Sequence, residues 1–548
     1  MAFGILEPKH GVAPGTVILS HQSESPSEHD TKGIVLVPQP SDSPNDPLNW
    51  PQWKKDFILL IISLQSSVVG AYGPMLGPGF VEIAAELNVS VNEISQATSY
   101  LVLACGLGLF LSNPLAKCFG KRPVYLVCGV ILFAASVWGA ATEGYGSFLG
   151  SRLVGGLGMG PYEVLVQCTI GDMYFVHERA TRIALWNLFL VAGISAGPIV
   201  SAYLIQYAGY RWAFGACAIF FAVLTIAFFF FAPETAFIRV PNGTEMQMDT
   251  QERKDQVDTE HVQDIDKIEP VSCQASGSPV SASASAPVQK ESYWRSLRVY
   301  HGRYSNASFI KIMTRPFILF FYPPMLWAFL TWGTTITFTI AFGYVNGVLF
   351  TAPPYNMSTS QVGLTNVSPL VQSIIAQIIA GPLNDRIVLA LTRRNSSSST
   401  TSGSGGIYEP EYRLVLMTVG FILGITGFYG YAATVHYKTH WAGPVITYGM
   451  VNASLSFVST CVFGYIIDAY QEVSEEAFVA INARNFLSFG ILYFVNSWLE
   501  SDGVLEVFVV LGSLFVFTSL LTVPMWIFGK KIRARIHRVE WLKAYMKD

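Results

Sequence analysis

Charged residues are scarce in this chain. Only 13% of its 548 residues are Asp, Glu, Lys or Arg, whereas 51% are hydrophobic and 14% are aromatic. Soluble domains carry about 25% charged residues, and the net charge of −3 is too small to indicate a strongly acidic or basic partner. This composition excludes a typical soluble enzyme, a nucleic-acid-binding protein and a disulfide-stabilised secreted domain.

The chain also lacks the short motifs of several function classes. Its seven cysteines include no C-x-x-C pair and lie mostly in apolar runs, so they predict neither a disulfide framework nor a zinc site. The ATP-binding string G-x-x-x-x-G-K-[ST] and the zinc-protease string H-E-x-x-H are both absent. We therefore predict no enzymatic activity, no cofactor and no metal site.

Long apolar runs are the main feature that is present. A helix needs about 20 apolar residues to cross the hydrocarbon core of a bilayer, and twelve segments satisfy this rule. They predict an all-α membrane protein with 12 transmembrane helices in two pseudo-symmetric six-helix bundles. In chain order, spans 1 to 12 are 57–79, 94–116, 122–142, 146–169, 181–206, 212–232, 315–345, 362–386, 412–434, 442–468, 476–499 and 504–529.

Polar segments divide the chain into five parts. An N-terminal tail (1–56) precedes the N bundle (57–232), and a basic tail (530–548) follows the C bundle (312–529). The stretch 233–311 between the bundles has few apolar residues, mixed charge and a Ser/Ala/Pro-rich segment, so we predict a disordered linker.

Lysine and arginine are unevenly distributed between the loops on the two sides. One set of loops contains only Arg211 and Lys438, and the other loops hold most of the remaining basic residues. The positive-inside rule then predicts cytosolic termini. We expect a plasma-membrane protein, with the vacuolar membrane as the alternative. Three sequons on the predicted outside, Asn88, Asn356 and Asn366, are candidate glycosylation sites.

Similar short strings recur in the two halves. Asp172-Met-Tyr174 and the following Glu178-Arg-Ala180 match Asp468-Ala-Tyr470 and Glu475-Glu-Ala477 at the ends of spans 4 and 10. Asn-Pro-Leu-Ala-Lys at the end of span 2 likewise matches Gly-Pro-Leu-Asn-Asp at the end of span 8. Repeats of this kind predict two related bundles that enclose a midplane site and rock around it.

The region after span 2 resembles the G-x-L-a-D-R-x-G-R-R motif of the major facilitator superfamily, and the similarity covers nearly the whole hydrophobic chain. Lys117 stands at the position of the motif's aspartate, which makes a gating ion pair, and Lys121 and Arg122 follow. The second half keeps Asp385 and Arg386. The resemblance therefore implies the superfamily fold, with an ion-pair gate in the second half.

Span 5 contains Gly193-Ile-Ser-Ala-Gly197-Pro198, which resembles the motif of 12-span drug:proton antiporters. The string Asp46-Pro-Leu-Asn-Trp50 is similar to a fungal branch associated with histidinol, polyamines and other small cations. Gly193 and Gly197 lie one turn apart and allow a neighbouring helix to approach, while Pro198 removes a backbone donor. Helix packing is the direct role we predict, and antiport is what the resemblance adds.

Two charged residues lie inside span 4. Arg152 and Glu163 are 11 residues apart and project from the same helix face, and such charges rarely face lipid. Burial favours the neutral form of a carboxyl group, so we expect Glu163 to bind either a proton or a cationic substrate. The alternatives are that Arg152 caps backbone carbonyls and that Glu163 pairs with a neighbour at the rim.

Three more charged residues are assigned roles from their positions at helix ends. Asp172 and Asp468 are predicted to pair with Arg179, Arg182 or Arg484, and Asp468 is kept as a second proton or substrate site. Arg484 is predicted to fix the inner end of span 11, with gating as the alternative.

Other polar and aromatic side chains within the spans are candidates for a substrate pocket. Aromatic rings attract cations through their faces, although tryptophans also anchor spans at the membrane interface. The candidates are Gln65, Tyr72, Gln167, Asn187, Trp327, Trp332, Gln372, Gln377 and Asn452.

These features predict a secondary active transporter that acts by alternating access. The substrate is a small organic solute (a drug, toxin, metabolite or organic cation) exchanged for protons across the bilayer, by a monomer that binds no nucleic acid. Two alternatives stay open: a proton-coupled importer or uniporter of small cations such as polyamines, and a non-transporting nutrient receptor.

Overall fold

The structure is a computed structural model in which helices form nearly all of the regular structure. It describes residues 5–6, 15–18, 41, 43–237, 292–300, 302–304, 308–397, 407–470, 473–539 and 545. Besides helices, this part of the chain contains one short antiparallel pairing, between Val17–Ile18 and Ile407–Tyr408.

The N bundle consists of spans 1 to 6 and a short helix, Phe80–Leu87, after span 1. Span 2 begins with a capping box, in which Ser90 and Glu93 exchange side-chain to backbone hydrogen bonds. It ends at Gly120, whose φ of 96° lets the chain turn directly into span 3. The six spans are Gln52–Tyr72, Val91–Phe119, Lys121–Ala140, Tyr145–Met173, Val176–Ala208 and Tyr210–Phe231.

The C bundle contains spans 7 to 12, several of which have short leading helices. Spans 11 and 12 run within one helical stretch that is broken at Gly503, where φ is 79°. The helices are Phe309–Phe320 and Pro323–Leu349 (span 7), Thr359–Leu364 and Val367–Ser397 (span 8), Met417–His436 (span 9), Ala442–Ala469 (span 10), Ser474–Asn482 and Arg484–Leu520 (spans 11 and 12), and Thr522–His537 (the end of span 12).

The predicted fold class is confirmed. Among the described residues, ten helices are long and apolar enough to cross a membrane, and one of them covers both spans 11 and 12. Span 4 is not among the ten because glycines and charges lower its hydropathy. Its glycines allow close packing instead: a Cβ on Gly156 would lie 2.3 Å from the carbonyl oxygen of Leu101.

The predicted linker, 233–311, lies mostly outside the described residues. Its described ends are ordered: Glu234 accepts hydrogen bonds from the backbone N–H groups of Lys121 and Arg122 (3.0 Å each), Tyr293–Ser296 is a helix, and Arg122 donates to the Leu297 carbonyl (2.9 Å). The prediction of disorder is therefore wrong at these ends, because Arg122 ties them to span 3. The predicted basic tail likewise begins as helix, up to His537.

The predicted N-terminal tail, 1–56, is described only in part. Its first described residues contact the C bundle: the Leu6 N–H donates to the Ile527 carbonyl (3.0 Å), and Thr16 Oγ1 donates to Glu409 Oε2 (2.9 Å). The chain therefore crosses from one bundle to the other before span 1 begins.

The two ends of the bundles differ in charge and in closure. The end that carries Lys117 and Lys121 is called the basic end below. At the opposite end the bundles meet backbone to backbone, since a Cβ on Gly347 would lie 2.0 Å from the carbonyl oxygen of Gly77. At the basic end a crevice of about 390 Å³ separates span 5 from spans 8 and 10. The structure is thus closed at one end and partly open at the other.

Candidate functional site

A narrow cavity of about 80 Å³ lies between the bundles, lined by spans 1, 2, 4 and 5 on one side and spans 7, 10 and 11 on the other. Pockets for drug-sized ligands measure about 300–1,000 Å³, so this space holds only a few water molecules. The bundles must separate before an organic solute can enter. The polar residues in the lining are Glu163, Gln167, Asn187, Ser459, Asn482, Arg484 and Asn485.

An ion pair crosses the cavity from one bundle to the other. Arg484 Nη2 lies 3.3 Å from Glu163 Oε2, and Asn485 Nδ2 donates to the same oxygen at 3.2 Å. Asn485 Oδ1 in turn accepts from Arg484 Nη1 at 2.8 Å, which orients the guanidinium. Glu163 thus pairs across the interface, and Arg484 faces the cavity, so its predicted role of fixing the end of span 11 is at most part of what it does.

Trp332 forms the floor beneath this ion pair. The Arg484 guanidinium lies 4.8 Å from the centre of the Trp332 ring, and Phe463 packs against the same ring at 4.9 Å. Gln167 also lines the cavity, and its buried Oε1 accepts no hydrogen bond within the described part of the chain. The site therefore combines one carboxylate, one guanidinium, an aromatic face and an unsatisfied acceptor.

A second polar contact between the bundles lies beside the cavity, toward the crevice. Asn187 Nδ2 donates to Gln377 Oε1 at 3.2 Å and to Ser459 Oγ at 3.4 Å. Both acceptors belong to the C bundle, whereas Asn187 is on span 5. Two of the predicted pocket residues, Asn187 and Gln377, thus face each other across the interface.

Five of the predicted pocket residues lie away from the cavity. Helical periodicity defines which face of a span is polar, but it does not define whether that face lies at the cavity or against a neighbouring helix of the same bundle. For these five residues the polar face lies within their own bundle. Gln65 and Tyr72 lie inside the N bundle, beside Thr225 and Phe214, and Trp327, Gln372 and Asn452 lie in the C bundle, where they donate to Thr522, Ser368 and Tyr448.

Arg152 caps a helix and does not line the cavity. Its guanidinium is fully buried and donates to the carbonyl oxygens of Tyr72 (3.2 Å) and Gly73 (3.1 Å), at the end of span 1. It also lies 4.9 Å from the Tyr72 ring. Of the two predicted alternatives, the structure contains the capping arrangement, so Arg152 and Glu163 share a helix face but not a site.

Asp172 and Asp468 lie beside cations that were not predicted as their partners. Lys121 Nζ lies 2.7 Å from Asp172 Oδ2, and Asp468 pairs with Arg413, so each aspartate binds a cation of its own bundle. Asp468 lies at the basic end of span 10, outside the cavity lining, and is not placed to bind a solute there. Chain distance hid these partners, because each comes from a different helix.

The charge contact that joins the bundles at the basic end involves residues that were not predicted as a gate. Lys117 Nζ, on span 2, lies 2.5 Å from Glu476 Oε1, at the start of span 11, and Arg315 Nη1 lies 3.6 Å from the same oxygen. The signal was present, since Glu476 falls in the repeated Glu-x-Ala string. Lys117 occupies the position of the motif's aspartate, and its partner, Glu476, is acidic.

The ion-pair gate that the resemblance implies for the second half does not join the two bundles. Asp385 Oδ1 lies 3.7 Å from Arg413 Nη1 of the same bundle, and both Asp385 and Arg386 are exposed. The resemblance placed the ion pair on the half that retains the motif, whereas the structure places it where charges from both bundles meet.

Span 5 packs tightly against span 1 through its small residues. A Cβ on Gly193 would lie 2.0 Å from the Ser67 carbonyl oxygen, and one on Gly197 would lie 2.7 Å from the Ala71 Cα. Pro198 lies in the interior of the same helix. This is the packing role predicted for the motif.

The three candidate sequons differ in exposure. Asn88 and Asn356 are exposed and adopt left-handed backbone conformations, with φ of 54° and 46°. Asn366 is only 4% exposed, and its amide donates to the Gly363 carbonyl. Asn366 is therefore not positioned to carry a glycan, whereas Asn88 and Asn356 remain candidate sites.

Two helical bundles around a shared central cavity define a membrane transporter of the two-bundle class. The Major Facilitator Superfamily model matches residues 58–495, and the chain belongs to this family. It is accordingly a multi-pass membrane transporter of small solutes.

The relatives of the chain are fungal transporters. It is 26% identical over 545 residues to an uncharacterised MFS-type transporter of Schizosaccharomyces pombe, with 95% of this chain and 92% of the relative covered. It is 23% identical to protein HOL1 of Saccharomyces cerevisiae, with 93% and 92% covered. It is also 23% identical to the efflux pump radE of Floropilus chiversii, with 83% and 76% covered.

Solved structures show the same fold at low identity. The proton:xylose symporter XylE superposes with a TM-score of 0.56 at 13% identity, covering 87% of this chain and 96% of XylE. The human organic anion transporter MFSD10 superposes with a TM-score of 0.51 at 15% identity, covering 86% and 100%.

Proposed function

We propose that this transporter exchanges a small organic solute for protons by alternating access, and that both bind at Glu163. The observation that carries the proposal is the position of Glu163, in the central cavity and paired with Arg484 of the opposite bundle. An intramembrane carboxylate that meets a cation across the moving interface is a natural coupling element.

Arg484 is the cation that occupies the carboxylate in the solute-free transporter. A proton on Glu163 removes the negative charge and weakens the hold on Arg484, and a cationic group of the solute displaces the guanidinium from the same oxygens. The proton and the solute compete for one site, so loading one requires release of the other. Movement of Arg484 also frees the Trp332 face, where a cation gains further attraction.

The relatives support export as the direction of transport. One relative is named an efflux pump, and the drug:proton antiporter motif in span 5 points the same way. We propose that the basic end faces the cytosol, because basic loops remain on the side from which membrane proteins insert. The plasma membrane is then the expected location and the vacuolar membrane the alternative.

The test is spermidine transport by purified protein in proteoliposomes under an imposed pH gradient. We expect the wild type to accumulate spermidine in the compartment from which protons leave. Glu163→Gln should abolish this accumulation, because a permanently neutral side chain cannot exchange its proton. Glu143→Gln is the matched control, since Glu143 is exposed in the loop before span 4 and lies outside the cavity lining.

The result also separates the alternatives. Accumulation in the same direction as proton flow identifies an importer, and equilibration without accumulation identifies a uniporter. If neither the gradient nor Glu163→Gln changes spermidine accumulation, proton coupling at Glu163 is wrong.

A further inference from the structure

A second groove lies at the basic end of the C bundle, separate from the central cavity. It has a volume of about 710 Å³ and is formed by the start of span 7 and by the end of span 12 with its helical extension. All lining residues lie within 323–330 and 521–538, outside the N bundle, so the groove does not depend on contact with the N bundle. The solute pathway described above does not use it.

The groove has an apolar floor and a basic rim. The floor is built from Leu326, Leu330, Leu521, Met525 and Phe528. Leu326 is 40% exposed and Phe528 is 45% exposed, as expected of side chains that face hydrocarbon. The indole N–H of Trp327, also in the floor, donates to Thr522 Oγ1 at 3.1 Å, so it needs no hydrogen-bond acceptor from a ligand.

Three exposed basic side chains form the rim. Lys531, Arg535 and Arg538 are spaced i, i+4 and i+7 and therefore lie on one face at the end of the chain's last long helix. Within the described residues, no carboxylate forms an ion pair with Lys531 or Arg535. Their charges are available to a ligand.

The other face of the same helix uses its basic residues differently. Lys530 Nζ lies 2.6 Å from Glu409 Oε1, and Arg533 Nη2 lies 2.6 Å from Glu411 Oε2. These two ion pairs hold the helix against the segment that precedes span 9. The helix thus has structural cations on its inner face, whereas Lys531 and Arg535 on its outer face are accessible to a ligand.

We propose that this groove binds an anionic phospholipid of the adjacent leaflet, with its headgroup phosphate on the basic rim and an acyl chain along the apolar floor. The position supports this occupant, because the rim lies where a span leaves the hydrocarbon, and basic pockets between spans on that side bind anionic headgroups. A soluble anion would engage only the exposed rim and would leave the floor empty.

The test uses the full-length protein in phosphatidylcholine vesicles with a trace of photoactivatable phosphatidylserine. We expect crosslinks within 323–330 and 521–528. The variant K531Q/R535Q/R538Q should lower this labelling by at least about tenfold, since each basic residue near a membrane surface contributes substantially to anionic lipid binding. R295Q/R298Q/R393Q is the matched control, because it removes the same charge from exposed sites outside the groove.

A charge-retaining variant distinguishes the loss of charge from misfolding as the cause of reduced labelling. R535K/R538K should keep most of the labelling, because a lysine supplies the same charge to a headgroup phosphate. Equal labelling by a photoactivatable phosphatidylcholine overturns the proposal, as does unchanged labelling in K531Q/R535Q/R538Q. Complete competition by soluble glycerophosphoserine would show a site for free anions, and increased labelling after removal of 540–548 would show that the chain's own tail fills the groove. Both results also overturn it.

Discussion

Breaking the ion pair between Lys117 and Glu476 should open the basic end further. This pair is the charge contact that joins span 2 to the start of span 11, and its partners are 22% and 5% exposed. Close charge pairs at interfaces contribute about 1.5 kcal/mol or more, so losing this one shifts the closed-to-open ratio by about tenfold. Lys117→Gln and Glu476→Gln should cause similar shifts.

The two variants should differ in stability. Arg315 contacts Glu476 within the C bundle and is only 1% exposed, so that contact persists whether the bundles are together or apart. Glu476→Gln removes a carboxylate from a buried cation and should cost about a further 3 kcal/mol of unfolding free energy, the lower end of what a broken buried pair costs. Lys117→Gln leaves the contact between Arg315 and Glu476 in place.

The conformational shift is measured by electron–electron double resonance between spin labels at Phe119 and Arg393, in a background without native cysteines. The long-distance population should rise in both variants, and thermal unfolding should show the additional loss only in Glu476→Gln. Glu143→Gln is the control, because Glu143 is exposed in the loop before span 4, at the opposite end of the N bundle. If the distances change only in Glu476→Gln, the cross-bundle pair does not hold the basic end closed.

Two other outcomes are expected. Gly193→Ala should lower thermal stability and transport, because its Cβ would meet a span 1 carbonyl at 2.0 Å and overpacking costs about 1–3 kcal/mol. Gly171→Ala, with nothing within 4 Å, should change neither in the same unfolding scan. In a glycosylating host, Asn88→Gln and Asn356→Gln should each increase gel mobility, whereas Asn366→Gln should not, because that side chain is buried. A mobility shift in Asn366→Gln alone would contradict the burial of that side chain.

The spans could be located in the sequence because membrane insertion is decided locally. Each run of about 20 apolar residues satisfies its backbone hydrogen bonds within its own helix, so no partner has to be known. Sequence also identified Glu163 as exceptional, because a carboxylate in an apolar run is costly wherever the run folds.

The helix boundaries that sequence missed depend on contacts with other segments. The ends of the linker are ordered because they contact span 3: Glu234 accepts from the backbone N–H groups of Lys121 and Arg122, and Arg122 donates to the Leu297 carbonyl. Nothing in the composition of 233–311 reveals that partner. In span 4 the glycines lower the hydropathy, so the span is hard to detect from its sequence. The same glycines allow neighbouring helices to pack closely against it.

The sequence alone determined the transporter class, the number of spans and the carboxylate most worth testing. Only the tertiary structure decided the partners: Arg484 lies 321 positions from Glu163, and Glu476 lies 359 positions from Lys117. Helical periodicity defines which face a side chain occupies, whereas the packing of two bundles decides what that face meets. For this reason Arg152, on the same face as Glu163, caps a helix while Glu163 meets the opposite bundle.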